Sequence, residues 1–102
     1  MSSTERPKYV DPSTVQNLTS SGTAAETTAI ATTHGDPLLF IRLAATAAVY
    51  VYISAAGTDA TSVNGFVIPA GGVETVRISR GHIVSVIQVT AGGIVSVAVI
   101  EP

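Results

Sequence analysis

Apolar and polar residues alternate with a period of two along much of the chain beyond Leu38. In Val49-Tyr50-Val51-Tyr52-Ile53-Ser54 the three aliphatic residues share one face, and Tyr50, Tyr52 and Ser54 share the other. Val73 to Ser79 alternates in the same way, with Glu74, Val76 and Ile78 opposite Val73, Thr75, Arg77 and Ser79. Leu38-Leu39-Phe40-Ile41-Arg42-Leu43 is apolar on both faces until Arg42, which marks either a strand buried on both sides or one at a subunit contact. Phe66-Val67-Ile68 reads as a short strand, and Thr-rich Ala25 to Ala31 as an edge strand. His82 to Thr90 and Ile94 to Ile100 form a last pair joined at Ala91-Gly92-Gly93, the signal of a β-hairpin.

Turn and loop chemistry separates these runs: Thr33-His34-Gly35-Asp36-Pro37, the loop Ala55 to Thr61, Asn64-Gly65 and Pro69-Ala70-Gly71-Gly72. The two Ala-Gly-Gly triplets are convergent turn chemistry rather than a repeat. Ala44 to Ala48 is too short for a helix between two strand runs. Seven or eight short strands with no helical period predict an all-β, antiparallel β-sandwich of jelly-roll type. The sandwich is expected over residues 22–102. Residues 1–21, rich in Ser, Thr, Asp and Pro, are expected to form an extended N-terminal arm. Within it Arg6, Lys8, Tyr9 and Val10 are the candidate contact residues.

Composition turns the reading away from catalysis. Charged residues are 12% of the chain, against about 25% in ordinary soluble domains. Ser and Thr number 23, Ala 14 and Gly 9, and the net charge is −2, so copies repel one another weakly. Self-association is the expected state. Five basic and five aromatic residues do not make a basic, ring-lined groove, so nucleic acid is not an expected partner. Cysteine is absent, which excludes disulfides and thiolate metal sites. No apolar run is long enough to cross a bilayer as a helix, so no membrane partner is expected and synthesis is placed in a cytoplasm.

The residues that do chemistry are scattered. His34 near Asp36, and His82 after Gly81, have no metal-ligand spacing. Glu26, Asp36, Asp59 and Glu74 stand in no carboxylate-pair motif, and Ser20, Ser21 and Ser54 have no nucleophile-elbow context. The paired glycines lack the Lys and helix of a phosphate cradle. No catalytic, cofactor or metal residue is expected. Arg42 and Arg77 are read equally as inter-subunit anchors and as surface ion pairs, Arg80 as exposed, and Tyr50 and Tyr52 as an amphipathic row for an interface or a half-exposed face.

Three segments carry a resemblance over roughly residues 38–100: Tyr50 to Thr61 with its Gly57-Thr58-Asp59-Ala60-Thr61 loop, Ile68-Pro69-Ala70-Gly71-Gly72, and Arg80-Gly81-His82-Ile83-Val84-Ser85-Val86-Ile87. In this order they resemble small β-sandwich proteins of tailed-phage virions, above all capsid decoration or cement proteins. That resemblance implies a non-enzymatic structural protein on the outer capsid surface, a homotrimer, with the major capsid protein as partner. Other small virion modules, such as head-fibre bases and tail-associated proteins, share these signatures. A carbohydrate-binding β-sandwich using Tyr50 and Tyr52 is a competing reading, and a small hydrolase comes last.

Overall fold

A computed structural model describes residues 9–31 and 37–101. Nine strands are described: β1 (Tyr9–Val10), β2 (Gln16–Ser20), β3 (Ala25–Glu26), β4 (Leu38–Ala45), β5 (Val49–Ser54), β6 (Phe66–Ile68), β7 (Val73–Ser79), β8 (Ile83–Gln88) and β9 (Gly93–Glu101). They form two antiparallel sheets. In the first, the order is β1-β9-β4-β7, with β2 also on β9; in the second it is β3-β8-β5-β6. β1 and β2 share one edge of β9, since Val10 pairs with Ile100 and Gln16 with Val97. A single 3-10 turn, Pro12–Thr14, interrupts them; Asp11 caps it by accepting from Ser13 N–H at 3.0 Å. Taken together, β1 and β2 are one broken edge strand, and each sheet has four strand positions.

The strand order is that of a jelly roll. Four pairings, β2 with β9, β3 with β8, β4 with β7 and β5 with β6, make one long antiparallel hairpin in which the first half of the chain runs against the second. Rolling that hairpin adds the lateral pairings β4 with β9 and β5 with β8. The expected all-β sandwich of jelly-roll type is what the molecule has.

The core lies between the sheets, where period-two alternation has placed the aliphatic rows. Leu39, Ile41 and Leu43 of β4 and Val95, Val97 and Val99 of β9 face Val49 and Val51 of β5 and Val84 and Val86 of β8, all buried. β4 alternates strictly between exposed and buried along its first six residues. Among the described residues it is therefore covered on one side only, so the reading of Leu38 to Leu43 as a strand buried on both sides does not hold within the described chain.

Two expectations are corrected. The arm placed over residues 1–21 is too long. Gln16 to Ser20 form five consecutive pairs with β9, and β1 continues the same edge. Leu18 supplies the reason, because it is partly buried against the core cluster and brings its backbone into register. Residues 1–8, with Arg6 and Lys8, lie outside the described residues, as do residues 32–36, which hold most of the turn expected before Leu38. The hairpin expected at Ala91-Gly92-Gly93 is not formed: β8 and β9 belong to different sheets. Here the glycines let the chain cross between layers at close quarters. A Cβ on Gly93 would stand 2.5 Å from Thr46 Oγ1, and Gly93 N–H donates to Ser20 Oγ at 2.8 Å. In the other triplet the reason differs, since Gly71 has φ of +75° with nothing near its Cβ position.

β3 is short because a side chain takes over its ladder. Thr27 N–H donates to Val84 O at 2.9 Å, and Val84 N–H returns the bond to Thr27 Oγ1 at 3.0 Å instead of to a carbonyl. Pairing resumes at Ile30, whose N–H donates to His82 O and whose carbonyl accepts from Gly81 N–H.

Candidate protein-interaction face

The two outer faces of the sandwich are unlike. On the β3-β8-β5-β6 sheet, Tyr50 stands between Val67 and Ile87, and Tyr52 beside Ser85, which in turn pairs with Glu26. The connection from β5 to β6, residues 55–65, folds back over this face. Its Ala60 is buried, and Ala60 N–H donates to the fully buried Ser85 Oγ at 2.9 Å. Gly57 lies so near the sheet that an added Cβ would be 3.2 Å from Ile83 Cδ1, and Gly65 meets Tyr50 Cβ at 2.9 Å in the same way. The loop is held by its own bonds: Thr61 N–H donates to Asn64 Oδ1, and Asn64 Nδ2 to Asp59 O. Tyr50 and Tyr52 are therefore half-buried beneath a folded loop. They do not stand out as an open platform.

The outer face of the β1-β9-β4-β7 sheet carries no such cover among the described residues. Register places Val10, Ile100, Phe40 and Arg77 in one row across four strands. The next row is Ala98, Arg42 and Thr75, and the one after it Asn17, Ser96, Ala44 and Val73. Leu38 sits 52% exposed and Phe40 50%, with Val10, Val73 and Ile94 also exposed. These five are half of the ten large exposed hydrophobic side chains of the described residues. Val10, Ile100, Phe40 and Leu38 adjoin one another, whereas Val73 and Ile94 lie beyond the row Ala98-Arg42-Thr75; the adjoining group marks an interaction surface more strongly than isolated exposed residues do.

Both Arg42 and Arg77 are exposed on this face, diagonal to one another across β4 and β7. Neither has an ion-pair or hydrogen-bond partner among the described residues. No Asp or Glu occupies any outward position of this sheet's described pairs, so two like charges lie next to Phe40 with no acid beside them among the described residues. Among the described residues neither arginine forms the surface ion pair that is one of its two readings.

Of the residues proposed for contact, the fold thus brings Val10, Arg42 and Arg77 onto one face and puts Tyr50 and Tyr52 on the opposite one. Tyr9 pairs its backbone with Glu101 at the end of β9. Sequence reasoning missed Leu38, Phe40 and Ile100 as members of the face. The signal was present, because Leu38 to Ile41 is apolar on both sides of a strand that can bury only one.

The remaining polar groups do not converge. Glu26 lies on β3, Asp59 in the loop above it and Glu74 at the far end of β7. Among the described residues no group of three or more His, Asp or Glu is placed to hold a metal ion. An open recess of about 360 Å³ lies where β2 meets the segment after β3, lined by Ser13, Thr14, Gln16 and Thr28 to Ala31. Gln16 Oε1 accepts there from Thr28 N–H at 2.9 Å, and the lining has no titratable side chain. No helix among the described residues is long and apolar enough to cross a membrane.

No family model, curated protein or solved structure matches the chain.

Proposed function

We propose that this chain is a structural virion protein of a tailed phage, a decoration or cement module that binds the outer capsid surface and braces neighbouring major capsid subunits. The observation that carries the proposal is the apolar strip Val10-Ile100-Phe40 with Leu38 beside it, uncovered among the described residues, on a sheet whose other side packs against the core. A face already ordered by sheet pairing costs little ordering entropy on docking and suits repeated attachment to a lattice of identical sites. Jelly rolls are a recurrent architecture of viral capsid proteins, and that adds support at the level of fold alone. The resemblance of the Tyr50-to-Thr61, Pro69-to-Gly72 and Gly81-to-Val84 segments to phage cement proteins points the same way.

The bonded cover over Tyr50 and Tyr52 weighs against the carbohydrate-binding reading, since a sugar platform needs an accessible ring face. In the proposed role the chain is a homotrimer on the particle. Two measurements test this reading. Particles assembled without the chain should lose integrity at a lower temperature than complete ones, and equal heat resistance contradicts cementing. Mass photometry of the purified chain should give a trimer, and a stable monomer at micromolar concentration removes that part.

A further inference from the structure

We propose that the outer face of the β1-β9-β4-β7 sheet is the capsid-docking face, and that it fits an acidic protein surface rather than a second copy of this chain. The inference rests on the virion reading and names the partner's chemistry. Arg77 is the cross-strand partner of Phe40 and Arg42 lies two residues further along β4 on the same face, with no carboxylate at the outward positions of the described pairs and no ion-pair partner among the described residues. Two isolated guanidiniums beside an exposed aromatic ring form the combination that dominates protein-protein contacts, the ring filling a pocket and each planar fork closing on a carboxylate.

A sister copy fits poorly in either possible arrangement. Paired face to face about a two-fold axis, the copies would bring four arginines together with no acid between them. The molecule does hold a complementary surface, since Glu26 and Asp59 are exposed on the side of the other sheet. That surface lies on the opposite side of the sandwich. Stacking one copy's arginine face on another's acidic face runs in a line, and a head-to-tail contact that does not close gives an open filament instead of a trimer. Trimer contacts then fall to the sheet edges, which leaves this face for the shell. Nucleic acid fits no better: two cations on an apolar face of a chain of net charge −2 are few against the six to ten phosphate contacts, in order of magnitude, of a typical duplex binder.

The test uses empty shells of the parent phage assembled without this chain, titrated with the full chain and read by co-sedimentation. Wild-type affinity should fall as salt is raised from 50 to 500 mM, because exposed charge pairs are screened. The double variant Arg42→Glu/Arg77→Glu should bind at least about ten-fold more weakly at low salt. Phe40→Ser should weaken binding about as much at every salt concentration. Val67→Ser, on the opposite face and 52% exposed, serves as a control and should bind like wild type. Circular dichroism and thermal unfolding establish that each variant is folded.

Shells that take up the charge-reversed chain as well as wild type overturn the inference and leave the virion reading standing. Shells that take up no wild-type chain overturn the virion reading, and the inference falls with it. A charge-reversed chain that loses its trimer in mass photometry would assign the face to a sister subunit, which also overturns the inference. So would wild-type binding to duplex DNA or anionic vesicles as tightly as to shells.

Discussion

Ala60 N–H donates to Ser85 Oγ at 2.9 Å, with both residues buried, although Ser85 projects from the outer side of its sheet. This one bond fastens the β5–β6 loop over the tyrosine face. It makes the two outer faces of the sandwich unequal, one closed by the chain's own loop and one left open among the described residues.

Ser85→Ala should therefore do more than remove a hydroxyl. A buried amide left without its acceptor costs about 1–3 kcal/mol. The urea midpoint should drop accordingly, and acrylamide should quench tyrosine fluorescence more efficiently as the loop lifts from Tyr50 and Tyr52. Unchanged quenching would mean that the loop is held by its internal bonds alone.

Thr27→Val keeps the shape of a buried side chain and removes the acceptor that Val84 N–H uses at 3.0 Å. The same penalty applies, about 1–3 kcal/mol. Amide hydrogen exchange should locate the damage: the Val84 amide should exchange faster than in wild type. Thr27→Ser, which retains the oxygen, should restore much of its protection. A Val84 amide that exchanges equally slowly in Thr27→Val would remove the side-chain rung from the account of β3.

The two Ala-Gly-Gly triplets separate by substitution. Gly71→Ala meets open space and suffers only the left-handed backbone, about 1–2 kcal/mol. Gly93→Ala drives a methyl to 2.5 Å from Thr46 Oγ1 and 2.9 Å from Ala47 Cβ. The overpacking costs about 1–3 kcal/mol. Disturbing the bond from Ile94 N–H to Thr46 Oγ1, 2.8 Å long, adds about 1 kcal/mol more. Thermal unfolding should place Gly93→Ala well below Gly71→Ala, each kcal/mol lowering Tm by about 4–8 °C in a domain of this size. The reverse order would refute the close-approach reading of Gly93.

Ile41 is fully buried in the central strand of its sheet, and Phe40 beside it is half exposed. Ile41→Ala should cost about 2–5 kcal/mol through the lost transfer energy and the cavity left behind. Phe40→Ser should leave urea stability within about 1 kcal/mol, because an exposed side chain contributes little to folding. If Phe40→Ser unfolds the chain as readily as Ile41→Ala does, the β4 face is structural and not reserved for a partner.

The architecture was legible because it is written in period-two alternation. Val49, Val51 and Val76 fall inward as their spacing requires, and Tyr50 and Tyr52 fall outward. What alternation does not encode is which strands share a sheet. Ala91-Gly92-Gly93 has the composition of a hairpin turn, yet its glycines serve a crossing beneath Ser20 and Thr46, contacts that are remote in sequence. The arm boundary failed for a similar reason. Gln16 to Ser20 are polar apart from Leu18, and their pairing depends on the far end of the chain, at β9. The candidate face was half legible. Arg42 and Arg77 stood out as rare residue types in a chain of few charges and Val10 as an apolar residue in a polar leading segment, whereas Phe40 and Leu38 were masked by an apolar run that reads equally as core. Only the register shows that Leu39 and Ile41 alone face inward.

The central claim concerns what covers Phe40 and Leu38. Hydroxyl-radical footprinting, read by mass spectrometry on the free chain and on intact particles, measures this directly. The account predicts that both residues are oxidised in the free chain and protected on the particle, while Val63, 93% exposed on the β5–β6 loop, is labelled equally in the two states. Oxidation of Phe40 and Leu38 on the particle at the free-chain rate would contradict it.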